Sequence, residues 1–176
     1  GTNARRIIMA DKASGGITAK ILHDEVKVRL KGELNYEPAD STEKWVYKKH
    51  SVPASPDVIF SNSGGDEFYG EANSAVADTD AVLWIAVKHS GTSDGSTATT
   101  EAIMINFSGT DPVWNGTDGS SNNNMIIGPN ELFVFRGNGT LIADIKVGTV
   151  KLAANKASAI GTGTVEAYVA VVVDDL

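Results

Sequence analysis

Apolar and polar residues alternate with period two along much of this chain, the mark of strands buried on one face. Ile17, Ala19 and Ile21 fall on one side of such a pattern. Val26, Val28 and Leu30 do the same, with Lys27 and Arg29 between them. A helix over Asp24 to Leu34 is the competing reading, with a weaker apolar stripe. Trp45 and Tyr47 alternate with Lys44, Val46 and Lys48, which predicts a strand with an aromatic face. Pro53 and Pro56 then place a loop or sheet edge. Val58 to Phe60 reads as a short strand, Ser61 to Gly65 as turns, and Asp66 to Asp80 as irregular chain.

The second half is more regular. Ala81 to His89 is an almost continuous apolar run of strand length, followed by a polar loop, Ser90 to Thr100. Glu101 to Phe107 is the next strand, and Ser108 to Asn124 is a Gly-, Asp-, Ser- and Asn-rich loop interrupted by Val113-Trp114. Further strands are expected at Met125 to Ile127, Glu131 to Arg136, Leu141 to Val147, Thr149 to Ala153 and Thr164 to Asp174. Gly128-Pro129-Asn130 and Gly137-Asn138-Gly139 supply turns. Short strands at this spacing, with no strand–helix alternation, predict an all-β fold: an antiparallel β-sandwich, jelly-roll-like. Residues 1–16 read as an extended N-terminal arm, with Asp11 to Gly16 as its closing turn, and residues 17–176 as the β-domain.

Composition narrows the function. At 176 residues and 41% hydrophobic content, the chain can bury one core. It has no cysteine, which removes disulfides, thiolate nucleophiles and thiolate metal sites. No run approaches the roughly 18 apolar residues of a membrane-spanning helix. Charge is uneven. Residues 1–50 carry ten Lys and Arg against seven Asp and Glu, whereas residues 51–176 carry five against fifteen. An acidic body repels phosphate, so nucleic acid is not an expected partner.

Candidate chemistry is sparse. His23, His50 and His89 are far apart in sequence and read as surface or strand-edge residues. His89 and Ser90, with Asp80 and Asp94 nearby, lack a nucleophile elbow, and neighbours on one strand face opposite ways. The carboxylate pairs Asp66-Glu67, Asp78/Asp80 and Asp174-Asp175 read as solvated loops and a chain end. Asp78, Asp80, Asp111 and Asp118 are the candidates for a calcium site, although no EF-hand loop is present. Gly161-Thr162-Gly163 has no phosphate-loop context and reads as a turn. The three Asn-x-Ser/Thr sequons, at Asn106, Asn115 and Asn138, are of a frequency that chance explains in so Asn- and Thr-rich a chain. No cofactor, metal or catalytic residue is therefore expected. Trp84 reads as core and Trp45 as a sheet-face or interface residue. Trp114, in its polar loop, plugs the domain's end, meets a protein partner or stacks on sugar.

The buried strand Ala81 to His89, the strand Glu101 to Phe107, Ile126-Ile127-Gly128-Pro129-Asn130-Glu131-Leu132-Phe133 and the ending Val165 to Asp175 together resemble small β-sandwich structural proteins of tailed phages. The similarity is one of pattern and composition over about residues 80–176. It implies a virion protein of capsid decoration or cement type, located on the capsid surface. Its partners would be the major capsid protein or another virion protein, and further copies of itself, a trimer being favoured. No catalytic residue, membrane or nucleic acid is implied. The partner-binding residues expected on this reading are Arg5, Arg6, Ile7 and Ile8 in the arm, with Trp45 and Trp114. A carbohydrate-binding β-sandwich, calcium-assisted and using Trp114 with the loop from Asp111 to Asn124, is the alternative.

Overall fold

The computed structural model describes residues 13–22, 27–36, 43–59, 68–69, 79–109, 112, 125–136, 145–155 and 163–174. Those residues are almost all strand or turn, and no α-helix occurs among them. In chain order the strands are β1 (Ala13–Leu22), β2 (Lys27–Tyr36), β3 (Glu43–Val52), β4 (Asp57–Val58), β5 (Phe68–Tyr69) and β6 (Ala81–His89). There follow β7 (Ala102–Asn106), β8 (Met125–Ile127), β9 (Leu132–Arg136), β10 (Lys151–Asn155) and β11 (Val165–Asp174). Every pairing among the described residues is antiparallel. One sheet has the order β4-β10-β7-β8, a second the order β5-β3-β11-β6-β9, and β1 with β2 forms a separate two-stranded ribbon.

A single core lies between the larger sheets. Val52, Ile85, Val87, Val165, Val169 and Val171 face it from one side, and Ile103, Ile105, Ile127 and Leu152 from the other. Most are fully buried. Phe107, Phe133 and Phe135 pack against this core, with ring centroids 6.0 and 5.4 Å from Phe107. β11 lies at the centre of its sheet, paired along its whole length with β3 on one side and from Ala167 onward with β6 on the other.

The central strands are buried on both faces, which explains why β6 reads as a continuous apolar run. A register shift between Val172 and Val173 leaves Leu83 as an extra residue opposite β11. Val82 and Ile85 consequently reach the main core, while Leu83 and Trp84 both face a second cluster with Val134 and Val172 on the sheet's other face. Leu34 of the ribbon packs against this outer cluster.

Several sequence expectations change. β1 begins at Ala13, so the expected turn from Asp11 to Gly16 is strand from that residue on; residues 1–12 lie outside the described residues. The helix alternative for Asp24 to Leu34 gives way to β2, which pairs residue for residue with β1. β5 falls inside the segment expected to be irregular. Of the expected strand from Leu141 to Val147, residues 145–147 are described: Lys146 makes an isolated bridge to Ala81, and Val147 opens a 3-10 turn, Val147–Thr149, where the next strand was expected to start at Thr149. There the Thr149 hydroxyl accepts from the Lys146 amide and donates to the Lys146 carbonyl, and this local bonding competes with a sheet ladder.

Candidate binding surface

The outer face of the five-stranded sheet divides into three zones, set by the alternation of β11. Ala170 and Val172 belong to the covered outer cluster. Next along the strand comes Tyr168, 37% exposed, and then Glu166, which is buried. The register aligns Tyr168 with Lys49 on β3 and Lys88 on β6, and Lys88 with Leu132 on β9. Lys49, Tyr168, Lys88 and Leu132 thus form one row across four strands. Leu132 is 48% exposed, far more than a core leucine.

Local bonding makes this row a firm ledge. The Lys49 ammonium lies 2.6 Å from Glu166 Oε2, and the Tyr168 hydroxyl donates to Glu166 Oε1 at 3.2 Å. Tyr47 stacks beside Tyr168, the ring planes 7° apart and the centroids 6.5 Å apart. Burial raises the Tyr47 phenol above its ordinary value, and Tyr168 and Glu166 push the same way while Lys49 opposes them. The ring therefore stays neutral at physiological pH. The Lys88 ammonium donates to the Asn130 carbonyl at the turn before β9. That turn has Pro129 followed by Asn130 at φ 66°, and the Glu131 amide donates back to the Gly128 carbonyl at 3.0 Å. Proline and then a positive-φ residue is the type II arrangement.

The loop from Ser90 to Thr100 folds over the end of this face. Glu166 and Ser90 bond it to β11: the Ser90 amide donates to the Glu166 carbonyl, and the Glu166 amide to the Thr92 carbonyl. Gly95 sits on the Glu166 carboxylate at φ +88°, where an added Cβ would lie 3.0 Å from Oε2. Only glycine combines that backbone with that approach. Asp94 organises the loop tip. Its Oδ1 accepts from the amides of Ser96 and Thr97 at 2.9 and 2.7 Å, and its Oδ2 accepts from the Thr97 hydroxyl.

Hydrogen bonds from the Thr97 and Ser96 amides hold the Asp94 carboxyl well below the ordinary carboxylate range. A depressed value in the folded chain stabilises the loop at any pH above the ordinary aspartate value. That contribution is lost only as pH falls toward the depressed value. The Thr97 amide resonance should consequently titrate well below the pH at which a free aspartate does, and should lose that titration in Asp94→Asn. A midpoint in the ordinary aspartate range would contradict the bonding described.

The ionisable groups expected at the surface are in part buried. His89 and His50 flank Ala167 on either side of β11, and both are buried. The placement of these histidines at the surface or a strand edge is thereby corrected: β3 and β6 are internal strands. His89 Nδ1 accepts from the Gly91 amide at 2.9 Å, so Nε2 carries the proton and donates to the Glu101 carbonyl at 2.8 Å. The Ser90 hydroxyl bonds Thr92. With both ring nitrogens engaged by backbone, His89 has no free nitrogen to act as a base toward Ser90. Asp80 is buried, its carbonyl accepting from the Val147 amide. Among the described residues no three His, Asp or Glu side chains are gathered in a way that could hold a metal. Glu101 is buried, and its Oε2 has no hydrogen-bond partner among the described residues.

Of the residues expected to bind partners, Trp45 lies on β3 at the register position opposite Val172. Arg5, Arg6, Ile7, Ile8 and Trp114 lie outside the described residues, as do the calcium candidates Asp78, Asp111 and Asp118. Trp84 is core, as expected. Sequence reasoning missed Lys49, Tyr168, Lys88 and Leu132. The available signal was Glu166 and Tyr168, which break the apolar run of the last strand at alternate positions. No protein-family model, curated protein or solved structure matches this chain.

Proposed function

We propose that the chain is a structural protein of a tailed-phage virion, of capsid decoration or cement type. On this reading it binds the capsid lattice and neighbouring copies by surface association, without catalysis. Its fold would be a β-sandwich of jelly-roll-like course. A core shared by two antiparallel sheets supports this reading of the fold, as does a chain that passes repeatedly from one sheet to the other between β3 and β11. The observation that carries the functional reading is the ledge of Lys49, Tyr168, Lys88 and Leu132. It sets a part-exposed tyrosine and a half-exposed leucine in one row of a sheet, the aromatic and apolar anchors around which protein-binding patches form, with the lysines supplying charge around them. The polar groups next to it serve the fold: buried His89 and exposed Asp94 both bond loop backbone.

Co-sedimentation with capsids of the phage that encodes the chain tests the reading. The purified chain should pellet with them, and the Tyr168→Ala, Leu132→Asp double variant should bind at least about tenfold more weakly. A wild-type chain left in the supernatant would overturn it. A second reading, carbohydrate binding, rests on the near-parallel Tyr47 and Tyr168 rings. Binding to a glycan array that is lost in Tyr168→Ala would favour it over the first.

A further inference from the structure

Hydrogen-bond alternation shows which backbone groups point off the edges of the two larger sheets. The His89 amide donates to the Glu131 carbonyl at 3.0 Å, and the Ser90 amide to the Glu166 carbonyl at 3.0 Å. Bonding along β6 therefore alternates between its neighbours: Val87 and His89 bond toward β9, and Lys88 toward β11. Leu132, opposite Lys88, is left with its own N–H and C=O pointing away from β6, off the outer edge of β9. The same alternation runs through the other sheet. There the Val150 carbonyl and the Ala154 amide bond toward β4 and its approach, to the Ile59 amide at 2.8 Å and the Pro53 carbonyl at 2.7 Å. Lys151 and Ala153 then bond toward β7, Ile103 and Ile105 toward β8, and Ile126 is left pointing off the edge of β8.

These two edge residues carry the most exposed large apolar side chains among the described residues, Ile126 at 54% and Leu132 at 48%. Within the described residues, neither makes a hydrogen bond through its outward backbone groups. Sheet edges that stay in water are blunted by charge, by proline or by a covering segment. An exposed aliphatic side chain beside an unmatched N–H and C=O is the opposite arrangement. What lies beside the two edges differs. Leu132 continues on the outer face into Lys88 and exposed Tyr168, whereas the row partners of Ile126, Met104 and Ala153, are already buried. Val134, the next outward residue on β9, is buried in the cluster on which Leu34 packs, so the open stretch is the start of that strand.

We propose that an extended segment of a partner protein adds to the five-stranded sheet at Leu132, as a further strand beside the start of β9. The backbone selects that occupant. Leu132 offers a donor and an acceptor in the plane of the sheet, and a second main chain in β conformation supplies the matching acceptor and donor together. A helix uses its backbone groups internally and would leave both unmatched. The side chain that comes to lie opposite Leu132 covers it and lengthens the row of Lys49, Tyr168, Lys88 and Leu132 by one strand. The proposal rests on the protein-binding reading of the ledge and adds the conformation of the bound partner.

A yeast-displayed library of random peptides, about ten residues long, selected on the wild-type chain, supplies the probe. Leu132→Pro removes the outward amide, which makes no bond to β6, and proline is tolerated at such edge positions. The selected peptides, made free, should bind Leu132→Val about as well as wild type and Leu132→Pro at least about tenfold more weakly. Ile126→Pro, at the other open edge, should bind as wild type does. In the wild-type complex the Leu132 amide should exchange at least about tenfold more slowly than in the free chain, a reading that stands even if Leu132→Pro misfolds. A library that yields no binder overturns the proposal, as do peptides held equally by Leu132→Pro or a Leu132 amide left unprotected in the complex. Peptide binding on these terms with capsids that leave the chain in the supernatant removes the virion reading alone. Capsid binding with an unprotected Leu132 amide removes this proposal alone.

Discussion

Val171→Asp should abolish the native fold, whereas Leu132→Asp should leave it intact. Val171 is buried on the central strand β11, between Val46 of β3 and Ile85 of β6 in the register. A carboxylate there loses its hydration and gains no partner built for it. Burying an unpaired polar or charged group, with the lost apolar contacts, costs more than about 4 kcal/mol. Domains of this size are held by about 5–15 kcal/mol in total. The variant is expected to show no cooperative urea transition. Leu132, 48% exposed on the same sheet, lies opposite Lys88. Aspartate there stays solvated and faces a cation, so the urea midpoint should move by no more than about 0.5 kcal/mol in stability. Equal destabilisation by the two substitutions would deny that this sheet has one face inside and one outside.

His89→Ala is expected to destabilise the chain by about 4 kcal/mol. The ring is fully buried, and its removal opens a cavity at the end of the core. It also strands two backbone groups: the Gly91 amide, bonded to Nδ1 at 2.9 Å, and the Glu101 carbonyl, bonded to Nε2 at 2.8 Å. These are the two ends of the loop that folds over Glu166. Amide exchange should accelerate first between Ser90 and Thr100, with β10 and β11 protected until global unfolding. His89→Phe fills the volume and restores neither bond, so it should recover only part of the loss. A variant as stable as wild type would mean that the loop is held by its other bonds alone, those of Ser90 and Glu166 to Thr92 and of Asp94 to its neighbours.

The strands were largely legible because burial writes its period into sequence. β6 ran from Ala81 to His89 as expected, and β11 began one residue later than expected. The bulge at Leu83 was not legible, because an apolar residue suits either face of a strand covered on both sides. The 3-10 turn at Val147–Thr149 turned on one threonine hydroxyl, a bond that alternation does not encode. The histidines were misplaced for a related reason. A histidine whose two nitrogens are bonded by backbone can be buried without charge, and those backbone partners come from residues 91 and 101 only once the loop has folded. The ledge was hidden because it is assembled from single residues of four strands, none unusual in its own segment. Ribbon chemistry, by contrast, was visible in the sequence as Lys27 and Arg29 between Val26, Val28 and Leu30; what pairing added was the matching face of β1.

Central to the proposed assembly is a β11 sheet closed by this chain on one face and by other chains on the other. Hydroxyl-radical footprinting of the chain, dilute and assembled, tests that most directly. Val169 and Ile85 should resist labelling in both states, while Tyr168 and Leu132 should label readily when dilute and become protected on assembly. Tyr168 and Leu132 labelled equally in both states would contradict it.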